Sequence, residues 1–129
     1  RCLKENGIFV LQTIGSNYSN KKVDPWINRY IFPNSVLPSA KQIIDAIENL
    51  FVLEDWHNFG SDYDKTLMHW FQNFHNNWND IKDKYGERFY RMWKFYLLAL
   101  AGTFRARYNQ LWQIVLSPKG IPNGYCAPR

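Results

Sequence analysis

Between Glu54 and Trp78 the chain reads EDWHNFGSDYDKTLMHWFQNFHNNW, which holds seven aromatic rings and all three histidines, His57, His69 and His75. Metal ligation, base stacking, core packing and the lining of an apolar channel could each use such a cluster. Metal ligation fails on spacing. The histidines stand 12 and six residues apart, so none share the i, i+4 face of an HExxH zinc site. On an ideal helix His69 and His75 point to different sides. Base stacking pairs rings with neighbouring cations. Here Tyr63, Leu67, Trp70, Phe71, Phe74, Trp78 and Ile81 instead follow one helical face. Core and channel remain.

Arg88, Arg91 and Lys94 recur every three residues, with Arg105 and Arg107 beyond. A solvated helix face accounts for such a pattern, and contact with anionic phospholipid head groups is the sharper reading. No glycine-rich phosphate or dinucleotide loop occurs, since LAGTFRAR lacks the further glycines. The chain therefore carries no self-contained nucleotide cofactor site.

These residues need elements to hold them. NGIFVLQTIGS, Asn6 to Ser16, is apolar on both faces and predicts a strand buried in a parallel sheet. A polar loop follows, then an aromatic segment cut by Pro25, Pro33 and Pro38. PSAKQIIDAIENL predicts a helix capped by Ser39, and FVLEDWHNF a second strand. A long helix starts at Asp62 or Asp64 and carries the ring stripe through Ile81. Another runs from about Glu87 to Arg107, with Phe89, Met92, Trp93, Tyr96, Leu100 and Phe104 on its apolar side. QLWQIVLSP closes the pattern as a strand ending at Pro118, and the Gly- and Pro-rich residues 119–129 read as a loose tail. The order of strands and helices is that of the second half of a doubly wound α/β domain.

The 129 residues suffice for one domain, and 46% hydrophobic with 18% aromatic content excludes a disordered tail. A net charge of +5 favours anionic partners without choosing between nucleic acid and an acidic membrane. Cys2 and Cys126 signal neither zinc nor a disulfide scaffold, and the reduced cytosol is the default setting. No apolar run is long enough to span a bilayer. A start at Arg1 just before a strand reads as a piece of something longer.

Four strings, VDPWINRYIFPNSVLPS, EDWHNFGSDYDKTLMHWFQNFHNNW, YGERFYRMWKFYL and AGTFRARYNQLWQIVLS, together closely resemble one family. The chain is similar, from about Gly7 to Ser117, to the C-terminal third of cyclopropane-fatty-acyl-phospholipid synthases, which are S-adenosylmethionine-dependent methyltransferases like the mycolic acid cyclopropane synthases. The resemblance implies an α/β fold, the C-terminal half of a class I (Rossmann-like) methyltransferase domain with three strands and long helices. Residues 1–118 would be the C-terminal part of that catalytic domain. It further implies methyl transfer to the cis double bond of a phospholipid acyl chain, with closure of a cyclopropane ring and bicarbonate as base. The implied setting is cytoplasmic and peripheral at the inner membrane surface, with no nucleic-acid partner and a homodimer compatible.

By the same resemblance Tyr63, in GSDYD, matches a tyrosine that donates its hydroxyl to bicarbonate, and Ile14, in QTIGS, a position whose backbone meets that anion. Gln12 stands where the family usually has histidine; an amide can bind an anion but cannot exchange a proton at neutral pH. A carbocation on an acyl chain needs shielding from water and is stabilised by ring faces. Tyr30, Phe32, Trp56, His57 and Phe59, at expected loops and strand ends, are the channel candidates, while Trp70, Phe71, Phe74 and Trp78 read mostly as core. The glycine loop for S-adenosylmethionine and the Cys and Glu of the bicarbonate site lie upstream in the family, so the chain alone is expected to be inactive. The alternatives are a non-catalytic lipid- or membrane-binding module and a sister methyltransferase giving methyl-branched or hydroxylated fatty acids.

Overall fold

A computed structural model describes residues 3–128, in two compact units: the residues up to Asn58 with those from Gln110 onward, and Phe59–Asn109. Cys2 lies outside the described residues.

The first unit is built on a three-stranded sheet. Strands β1 (Phe9–Ser16), β2 (Val52–Asn58) and β3 (Asn109–Ser117) take the order β1-β3-β2. The last strand in sequence is thus the central one, and nearly all of it is buried. β2 runs antiparallel to β3, with Trp56 opposite Ile114 and Asn58 opposite Trp112. The expectation of a parallel sheet fails for this pair. So does that of a strand buried on both faces: β1 is an edge in this sheet, and Ile8, Phe9 and Val10 are each more than two-fifths exposed.

Two helices belong to this unit. α1 (Pro25–Tyr30), absent from the sequence expectations, starts at an Asp-Pro step. Asp24 Oδ1 accepts from the Trp26 and Ile27 amides at 2.9 and 3.1 Å, and proline at the first helical position loses no intrahelical bond. α2 (Ala40–Ile47) has the expected Ser39 cap, closed into a capping box by Gln42. It lays Ile43 and Ile47 on a core of Trp112, Ile114, Leu116, Leu11, Phe51 and Trp56. The chain beyond Pro118 is tied down at its start, where composition suggested a loose tail. Ser117 Oγ and the Ile121 amide both donate to Glu54 Oε1, and the Gly120 amide donates to Ser117 Oγ.

The second unit is an antiparallel pair of helices, α3 (Gly60–Asn76) and α4 (Trp78–Arg105). Near one end Tyr63 meets Phe104 edge-on at 5.0 Å, and Asp64 takes two bonds from Arg105, each 2.9 Å. Near the other, Tyr90 stacks with Phe74 and lies beside Trp78. Leu67, Leu97, Ala101 and Phe104 are fully buried between these ends. The helix expected to run through Ile81 instead stops at Asn76, and Trp78 opens the next one. α4 is kinked at Gly86, whose φ of 73° and ψ of 162° suit only glycine.

Candidate functional site

Alternation along β1 places Gln12 and Ile14 on one side of the strand and Leu11 and Gly15 on the other. Leu11 packs into the core, and Gly15 lies under the Trp112 ring. A Cβ at position 15 would fall 2.1 Å from that ring, so the glycine of QTIGS is required by close approach. Trp112 in turn meets Trp56 edge-on at 5.2 Å. Gln12 and Ile14 therefore face away from the core, Gln12 exposed and Ile14 half-buried. Thr13 Oγ1 donates to the Ile14 carbonyl at 3.0 Å.

The same alternation separates two channel candidates. Trp56 turns into the core beside Trp112, while its neighbour His57 turns to the face that carries Gln12 and Ile14. Trp56 is thus a core residue, and both lie inside β2, not at its end. Gln113, opposite His57 on β3, shares the face with His57 and was not foreseen. Tyr30 closes α1, where its ring lies 5.4 Å from Trp26 and under the Arg29 guanidinium, and Phe32 follows half-exposed.

A chain of side-chain amides at the strand ends, buried only at Gln110, also escaped the sequence reading. Asn58 donates to Gln110 Oε1 at 2.8 Å, and Gln110 Nε2 donates to Asn17 Oδ1 at 3.2 Å. Gln110, 6% exposed, thus links the carboxyl ends of β1 and β2 through the start of β3. In open α/β sheets ligands bind outside the carboxyl ends of strands.

In the second unit Phe59 stands at the N-cap of α3, and its carbonyl accepts from the Tyr63 amide at 3.1 Å. Tyr63 is half-buried between Trp70 and Phe104. Burial pushes its hydroxyl above the usual tyrosine value of 10.0. Tyr96 is raised as well, first by burial and then by Tyr63 beside it. The sequence placed Tyr96 in the apolar stripe and gave it no polar role. His75 Nδ1 lies 2.6 Å from the Tyr90 hydroxyl and its ring stacks on Phe71. Among the described residues no three His, Cys, Asp or Glu side chains gather as a metal site requires.

The described residues build no cradle for S-adenosylmethionine. Gly15 and Gly60, the glycines at strand ends, are isolated, and Gly15 is covered by Trp112.

A family model described as mycolic acid cyclopropane synthetase matches residues 1–114. The chain belongs to this family. It is 58% identical over 124 residues, 96% of its length, to the cyclopropane-fatty-acyl-phospholipid synthase of Escherichia coli K12, of which it spans 32%. Among solved structures it is similar to the cyclopropane synthase MmaA2 of Mycobacterium tuberculosis, with a TM-score of 0.78, 20% identity, and coverage of 88% of this chain and 45% of that one. The mycolic acid cyclopropane synthase CmaA1, solved with SAH and CTAB, superposes with a TM-score of 0.77 at 24% identity and the same coverage. These two likenesses show that the chain shares its α/β fold with part of each solved cyclopropane synthase.

Proposed function

We propose that the chain is part of an enzyme that transfers the methyl group of S-adenosylmethionine to the cis double bond of a phospholipid acyl chain and closes a cyclopropane ring, with bicarbonate as base. The observation that carries this reading is the 58% identity to the E. coli enzyme over 96% of the chain. S-adenosylmethionine supplies an electrophilic methyl group and is held by residues outside this chain. The protein works in the cytoplasm, peripherally at the membrane that holds its substrate. Among the described residues no helix is long and apolar enough to cross a bilayer.

The roles of this chain's residues follow from their chemistry. Tyr63, a protonated phenol at neutral pH, donates to the base. Its place in the first turn of α3 adds the positive end of a helix dipole, which favours an anion. Gln12 donates an amide N–H to that anion, and the Ile14 backbone contributes a further contact. Gln12 cannot relay a proton, so the base exchanges its proton with solvent more slowly than with histidine. Tyr30, Phe32, His57 and Phe59 offer rings to the acyl chain, while Trp56 packs in the core beside Trp112.

The test uses the full-length protein, methyl-labelled S-adenosylmethionine and vesicles of unsaturated phospholipid, with products identified by mass spectrometry. A cyclopropyl product that falls about 100-fold or more in Tyr63→Phe, the loss typical of a deleted acid–base or oxyanion contact, supports the reading. An open-chain methylated or hydroxylated product would sink the ring-closing step and favour the sister methyltransferase. No methyl transfer, with vesicle binding retained, would favour a non-catalytic lipid-binding protein.

A further inference from the structure

The charged side of α4 has no part in the chemistry above. After the kink at Gly86, helical spacing puts Arg88 and Arg91 on the side opposite the buried Leu97 and Phe104, with Lys94 at the flank. All three are exposed, and none forms an ion pair among the described residues. No Asp or Glu occurs between Glu87 and Arg129. Further along, the same side turns apolar. Phe95 is 56% exposed, Leu98 half-buried, and a Cβ added at Gly102 would meet nothing within 4 Å. One helix face thus presents cations first and an apolar strip after them.

A face that only meets water has no use for an aromatic ring more than half exposed, and three cations do not suit an apolar protein contact. Both halves suit the boundary between phosphate head groups and acyl chains. There guanidinium groups meet anionic oxygens and an aliphatic or aromatic strip enters the hydrocarbon edge. We propose that this face of α4 is where the protein lies on an anionic phospholipid bilayer, with Arg88, Arg91 and Lys94 on the head groups and Phe95 and Leu98 below them. The proposal rests on the phospholipid substrate inferred above and assigns the surface that meets it.

The experiment is co-sedimentation of the full-length protein with vesicles of phosphatidylglycerol and phosphatidylcholine, and with vesicles of phosphatidylcholine alone. The variant is Arg88→Gln, Arg91→Gln and Lys94→Gln combined. A matched control, Lys21→Gln, Lys22→Gln and Lys41→Gln, removes the same charge elsewhere. Loss of three surface cations weakens binding to the anionic vesicles about 100-fold, at roughly fivefold each, while the control changes far less. Phe95→Ser weakens binding to both vesicle types. The α4 triple variant keeps methyl transfer to detergent-dispersed lipid, which separates a docking defect from a failed reaction. Unchanged vesicle binding in the triple variant overturns the proposal and means that other parts of the protein cover this face. Equal losses in both triples overturn it in favour of net charge. A triple variant that binds normally yet no longer forms dimers overturns it in favour of a second copy of the chain.

Discussion

Tyr63 and Tyr96 both have their hydroxyls pushed upward by burial. The folded state therefore holds these protons more tightly than the unfolded chain. That preference is fully present below the unfolded value, near 10.0, and is lost as pH rises through the folded values. Urea unfolding midpoints should fall on the alkaline side, and the fall should be shallower in a Tyr63→Phe, Tyr96→Phe double variant. An equal fall in both proteins would mean that these hydroxyls are not the cause. Gly15 makes a second residue-scale prediction. Alanine there must displace the Trp112 ring, an overpacking cost of about 1–3 kcal/mol, which lowers the midpoint of chemical denaturation. Trp112→Leu should recover part of that loss by vacating the space. The motif QTIGS is readable in the sequence, but the reason for its glycine is not, because Trp112 sits 97 positions further on. The Asn58–Gln110–Asn17 chain was hidden for the same reason: its bonds join residues 52 and 93 positions apart.

Among the elements, α4 carries the sharpest backbone constraint. Gly86→Ala forces a side chain into a glycine-only conformation and should cost about 1–3 kcal/mol, read as a lower thermal midpoint. A change within error would mean that the kink relaxes into continuous helix. Local signals made some elements legible and misled on others. α2 announced itself through Ser39, Gln42 and the spacing of Ile43 and Ile47, all within two turns. β2 and β3 were found from short apolar runs between turn residues. α1 was missed because three prolines drew attention from the Asp24–Pro25 start that builds it. The break at Asn77 was invisible because Trp78 packs back on Phe74, as it would in an unbroken helix. β1 looked buried from its composition, yet the order of the sheet leaves it at an edge. Periodicity reports which side of an element is apolar and says nothing of which neighbour covers it.

At the scale of the molecule, the position of β3 has a consequence for how the protein is made. The sheet has its sequence-last strand in the middle, so β1 and β2 have no common partner until Asn109–Ser117 has left the ribosome. Val52 waits for Ser117, and the helices between them are synthesised during that delay. Helix pairing is local and fast, whereas closure of this sheet is non-local and slow. The nascent chain is therefore expected to hold a formed α3–α4 hairpin beside a β2 whose partner strand is not yet made, a species prone to aggregate or to bind a chaperone. Ribosome-stalled chains ending before Asn109 should show protease-resistant helices and an accessible β2, and chains extended past Ser117 should protect β2 and β3 together. Translation pace across the α4 coding region is then a determinant of yield that no property of the finished fold would reveal.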